Sequence, residues 1–99
     1  MNDFNRCAYK FEGMEILDYI IVTPHNMEEL IHFGSLLGIS LSTYGKFLKL
    51  NSGLCLITLF KGNAPIIVAL YKNGRLKFAK KKGHADVGEE LEKKLQAIF

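Results

Sequence analysis

Tryptophan is absent from this chain, Gln96 is its only glutamine, and its two prolines, Pro24 and Pro65, stand far apart. With so little proline, and with no repeat or low-complexity segment, nothing marks a linker; one domain over residues 1–99 is expected. The two cysteines, Cys7 and Cys55, lack the C-x-x-C spacing of a redox or zinc motif. Both sit in strand-like runs and read as small core residues with reduced thiols, a long-range disulfide being left open. Long apolar runs are missing too. None approaches the ~20 residues of a membrane span, and the stretch around Asp3 and Arg6 lacks the apolar segment and small-residue cleavage site of a secretory signal. No membrane partner and a cytoplasmic location are therefore expected. The scarcity of arginine beside lysine, the single glutamine and the missing tryptophan fit a thermophilic source, and fit an AT-rich genome as well.

Catalytic patterns are equally scarce. His25, His32 and His84 are widely separated and form no H-x-x-x-H pair, so a metal site would require the fold to gather them. No serine or cysteine stands in a nucleophile elbow, and Gly34 and Gly38 lack the spacing of a phosphate-binding loop. The paired acids Glu28-Glu29 and Glu89-Glu90 fall in the first turns of expected helices, where they complement the helix dipole. No enzymatic activity, cofactor or metal is expected.

What is present is a chain of 99 residues with 48% hydrophobic and 23% charged residues, long enough for one core but not two. Arg6–Phe11 alternates apolar and polar side chains and reads as a strand; Ile16–Thr23, rich in β-branched residues and closed by Pro24, reads as another. Asn26 followed by Glu29 has the form of a capping box, which predicts a helix from Met27 to about Leu37 with Leu30, Ile31, Gly34 and Leu37 on one side and Gly38 ending it. Tyr44–Leu50 reads as a strand leading through an Asn51-Ser52-Gly53 loop into three more. Asp86 with Glu89 suggests a second capping box, opening a helix with the stripe Val87, Leu91, Leu95 and Ile98. The expected order is β-β-α-β-β-β-β-α: an α+β fold with an antiparallel sheet of five or six strands and both helices on one face.

The hairpins are the most informative part. Gly62-Asn63 suits a type II′ turn and Asn73-Gly74 a type I′ turn, with Phe60 opposite Pro65 and Tyr71 opposite Leu76. Uninterrupted alternation then puts Leu54, Leu56, Thr58, Phe60, Ile67, Ala69, Tyr71, Leu76 and Phe78 on one face. The other face carries Cys55, Ile57, Leu59, Ile66, Val68 and Leu70, then Arg75, Lys77 and Ala79. Two helices can cover only one such face. Ile57, Leu59, Ile66, Val68 and Leu70 are accordingly expected to form an interface, and a homodimer is the expected assembly.

Although the net charge is only +3, Lys72, Arg75, Lys77, Lys80, Lys81 and Lys82 lie in one stretch without an acid. Lysines on an edge strand can serve simply to keep it soluble. Cations flanking an apolar floor also suit nucleic acid, with Arg75, Lys77 and Lys80 to Lys82 as phosphate contacts. From Leu54 to Phe99 the chain resembles one repeat of the TATA-box-binding protein, through the segment Ala69-Leu70-Tyr71-Lys72-Asn73-Gly74-Arg75-Leu76, then a strand, a basic patch and an amphipathic helix. That resemblance implies wedge positions at Leu54 and Tyr71 and groove-facing positions at Lys77 and Ala79. It departs from the family in having leucine at one wedge, Lys77 in place of an apolar residue, and one repeat rather than two; it also requires a bulge near Asn73. A profilin-like module of the longin or roadblock type, binding proteins only, is the alternative fold and function.

Overall fold

The computed structural model describes residues 4–49 and 52–99. It is an α+β structure around a six-stranded antiparallel sheet whose strands lie in chain order. The strands are β1 (Glu15–Ile16), β2 (Tyr19–Val22), β3 (Leu54–Lys61), β4 (Ala64–Lys72), β5 (Arg75–Lys81) and β6 (Ala85–Asp86). Helices α1 (Met27–Leu37) and α2 (Ser42–Lys49) are inserted between β2 and β3, and α3 (Glu89–Ala97) follows β6.

Helix α1 begins and ends as its sequence dictates. The Asn26 side chain accepts the Glu29 N–H at 2.8 Å, and Gly38 leaves the helix with a φ of 69°. Glu29 turns its carboxylate to the backbone N–H of His25 at 2.9 Å. Leu30, Gly34 and Leu37 are buried, whereas Ile31 is 50% exposed and leaves the expected stripe. Of the expected stripe, Leu91 and Leu95 lie in α3 and are buried in the core, while Val87 and Ile98 flank the helix and pack against that core. The cap of α3 is Gly88, however, and Asp86 sits in β6 instead.

Three segments depart from expectation. Arg6–Phe11 is a 3₁₀ helix, whose period of three residues buries Ala8 and Phe11 together. Residues 16–23 form no single strand: the chain reverses at Leu17, whose φ is 54°, so that Ile16 pairs with Tyr19. The expected strand Tyr44–Leu50 is helical up to Lys49, and Leu50 and Asn51 lie outside the described residues. Leu41, Tyr44 and Leu48, spaced by three and four, supply the apolar side of α2. Gly45 is buried where α2 meets α1, and a β-carbon there would require the flexible end of the Met27 side chain to move.

Both turns are as the sequence implies. Phe60 pairs with Pro65 and Tyr71 with Leu76, and Asn73 and Gly74 take φ values of 52° and 82°. Beyond each turn the register slips by one residue, because Leu59 pairs with Ile67 and Leu70 with Phe78. Ile66 and Lys77 are the extra, bulged residues, and each bulge exchanges the faces of the strand that follows.

The two faces are therefore sorted differently from uninterrupted alternation. Cys55, Ile57 and Leu59 share a face with Ile67, Ala69, Tyr71 and Ala79, packed against Ala8, Phe11, Leu91 and Leu95. Leu56, Val68 and Leu70 form the other face, packed against Leu30, Leu37, Leu41 and Leu48. Helices thus cover both sides, and the chain builds two core clusters where one was expected. The face expected to be open does not exist. Ile57, Leu59 and Val68 are fully buried within the chain, Leu70 is 5% exposed, and Ile66 packs at the margin of the first cluster. The two expected helices do not share a face: α1, joined by the additional helix α2, covers the Leu56–Val68–Leu70 side, and α3 with the 3₁₀ helix covers the other.

Candidate ligand groove

Shortness of α2 shapes the surface beside it. Beyond its apolar side, Phe47 points outward and remains 45% exposed, while Tyr44 leans towards Phe78 with ring centroids 6.0 Å apart. Between this helix and the β3–β5 end of the sheet lies a groove of about 370 Å³. Tyr44, Phe47, Leu54 and Leu70 supply its apolar lining, and Ser52, Lys72 and Lys77 its polar one. On the far side of Tyr44 a second depression of about 240 Å³ is lined by Ile39, Ser40, Phe78, Lys80 and His84. Among the described residues no carboxylate lines either one.

The Lys77 bulge helps to make this possible. As the extra residue between the Tyr71–Leu76 and Leu70–Phe78 pairs, Lys77 reaches the α2 side of the sheet, where it joins Lys72. Lys80 is already engaged: its ammonium donates to the Asp86 carboxylate at 2.6 Å and holds that carboxyl below the usual carboxylate range. Lys72 and Lys77 are exposed, and both groove walls beside them are apolar or aromatic. Such a surface can hold a planar or apolar group against its floor and an anion at its rim.

The expected contact residues divide. Leu54, Lys77 and Lys80 line the depressions. Arg75 is exposed beside the turn, and Lys81 and Lys82 are exposed without lining either depression. Tyr71 is in the interior: its hydroxyl donates to the Leu95 carbonyl at 2.7 Å and its ring lies 4.4 Å from that of Phe99. Burial pushes its phenol pKa upward. Neither a wedge at Tyr71 nor a groove-facing role for Ala79, which is 3% exposed, is compatible with these positions.

Tyr44 and Phe47 were not legible as site residues, because their segment alternates well enough to pass for a strand. The helical spacing of Leu41, Tyr44 and Leu48 was the available signal. The histidines are dispersed. His25 contacts Glu12 at 3.0 Å and the buried Thr23 hydroxyl at 3.2 Å, whereas His84 lines the second depression. Among the described residues no group of three His, Cys, Asp or Glu side chains is placed to hold a metal ion, and no helix is long and apolar enough to cross a membrane.

In comparisons with known proteins, no family model, curated protein or solved structure matches this chain.

Proposed function

We propose that this chain is a non-catalytic binding module that holds single-stranded nucleic acid in the groove between α2 and the sheet. One observation carries the reading: exposed Phe47, Lys72 and Lys77 line the same acid-free groove. An aromatic platform beside free ammonium groups provides base stacking and phosphate attraction together, which is the combination that single-strand binders use. The resemblance to a TATA-box-binding-protein repeat supports nucleic acid only through the β4–β5 hairpin and its basic stretch.

Fluorescence anisotropy with labelled single-stranded DNA and RNA tests this reading. Binding should weaken steeply between low and physiological salt, because phosphate contacts release counterions. Changing Lys72 and Lys77 together to glutamate should weaken it by at least about tenfold and flatten the salt dependence. Phe47→Ala should remove about 1 to 3 kcal/mol of affinity and leave the salt slope nearly unchanged. Failure to bind any single strand at low salt, where attraction is strongest, rules the proposal out.

A second reading, a profilin-like protein-interaction module that pairs with a copy of itself, draws on a different surface. Met14, Leu17 and Ile20 are 40%, 52% and 46% exposed, and all belong to the hairpin at the sheet's outer edge. An edge with apolar side chains and unpaired backbone groups favours strand addition. Sedimentation of the parent at micromolar concentration should then give a dimer, and Leu17→Asp a monomer. A parent that sediments as a monomer eliminates this dimer.

A further inference from the structure

The 3₁₀ helix at Arg6–Phe11 packs against β3 and brings together the two cysteines of the chain. Cys7 is exposed, and its thiol donates to the carbonyl of Leu54 at 3.1 Å, one residue before Cys55. The Cys7 sulfur therefore lies beside the backbone of Cys55, and the other thiol is the largest influence on the ionisation of each. Cys55 is 1% exposed, and its side chain lies among Ile57, Tyr71 and Ala8 in the core. One sulfur thus faces solvent and the other is shielded behind it.

We propose that Cys7 and Cys55 form an oxidisable dithiol in which Cys7 captures a low-molecular-weight disulfide and Cys55 resolves it into an intramolecular bond. This is independent of the ligand groove. The first step is attack of the Cys7 thiolate on a disulfide RSSR: a sulfur–sulfur bond forms to Cys7, the original one breaks, and RS⁻ departs. In the second step the Cys55 sulfur attacks the Cys7 sulfur and expels the second RS⁻. The protons of the two thiols end on the two RS⁻ groups. Overall, two cysteine thiols and RSSR become one protein disulfide and two RSH, so the protein is oxidised by two electrons and RSSR is reduced by two.

The surroundings divide these roles. Hydrogen bonding by the Cys55 thiol and the nearby Lys10 ammonium favour the Cys7 thiolate and bring its pKa down to about 7, against the opposing effect of burial. For Cys55, the hydrogen bond to Cys7 raises the pKa first, and desolvation adds to it. A nucleophile that ionises near neutral pH is the one that attacks fastest there. Once Cys7 is in a mixed disulfide its negative charge is gone, and with it the largest cause that holds the proton on Cys55.

Titration of the protein with glutathione disulfide, followed by intact-mass spectrometry, tests the proposal. The parent should become lighter by two hydrogens, carry no glutathione, and yield a linked pair of peptides containing Cys7 and Cys55. Cys55→Ala, which keeps a small apolar side chain in the core, should stop at one glutathione on position 7; Cys7→Ser should remain unmodified. Before oxidation, iodoacetamide should label Cys7 at least about tenfold faster than Cys55, with its rate half-maximal near pH 7. A parent that accumulates only the glutathione adduct, or that cross-links between molecules, overturns the assignment. The parent measurement decides this even if Cys55→Ala proves unstable.

Discussion

Replacing Asn5 by alanine is expected to lower folding stability by about 3 kcal/mol or more, through three backbone groups left without partners. Asn5 is 1% exposed. Its amide nitrogen donates to the carbonyls of Leu56 at 2.7 Å and Pro24 at 3.1 Å, and its side-chain oxygen accepts the Leu56 N–H at 2.9 Å. The reason lies in the sheet. Strand β2 pairs with β3 only from Val22–Thr58 to Ile20–Phe60, so the β2-facing backbone of Leu56 has no strand beside it. One primary amide, with donor and acceptor side by side, takes the place of the missing strand there. Alanine supplies neither group, and at the Asn5 φ of 54° it also carries the strain of a left-handed residue that asparagine tolerates better.

Asn5→Asp separates the donor from the shape. Its carboxylate still accepts the Leu56 N–H, but the second oxygen then faces two carbonyl oxygens. The charged form is disfavoured, so the folded-state pKa of the new carboxyl is raised above the ordinary value of about 3.9. By linkage, the variant's deficit is smallest below that value and grows as pH rises through the gap between the unfolded and folded pKa values. Urea unfolding followed by circular dichroism at pH 4 and pH 7 measures both effects. An Asn5→Ala loss below about 1 kcal/mol, the worth of one ordinary hydrogen bond, contradicts the account.

Asn5 also marks where the sequence stops being legible. Its partner is 51 residues away, and nothing local distinguishes it from a loop asparagine. The Asn73-Gly74 and Gly62-Asn63 turns and the Asn26 and Gly38 ends of α1 were legible because their chemistry is complete within four or five residues. The bulges were not. An extra residue at Ile66 or Lys77 requires no special side chain, yet it reverses the face of every residue beyond it. The expected open face has another origin: both expected helices fall on one side and α2 reads as a strand, whereas in the structure α1 with α2 lies on one face and α3 on the opposite one. Half of the groove followed from charge alone, since Lys72 and Lys77 stand in the acid-free stretch. Its aromatic half depended on recognising an eight-residue helix, in which Gly45 and the polar Ser42-Thr43 start weaken the helical pattern.

Val68→Lys distinguishes the covered face from the open one most directly. On an open sheet face used for dimerisation, the lysine would dissociate the dimer and leave a folded monomer. Here Val68 is fully buried, paired with Thr58 in β3 and Lys80 in β5 and packed with Leu30 and Leu37 beneath α1. No carboxylate belongs to that cluster, and a central strand gives the ammonium no short path to water. An unpaired buried charge costs about 3 to 5 kcal/mol, to which a side chain too long for the site adds packing strain of about 1 to 3 kcal/mol. For a chain of this length the whole stability is about 5 to 15 kcal/mol, so the variant is expected to lose most or all of its cooperative unfolding transition. Val68→Ala, which removes volume but adds no charge, should remain folded and lose only about 1 to 3 kcal/mol. Thermal melts of the two variants beside the parent make the comparison. A Val68→Lys protein that melts cooperatively near the parental Tm while sedimenting as a monomer would mean that α1 and α2 do not cover this face, and would restore Val68 and Leu70 as interface residues.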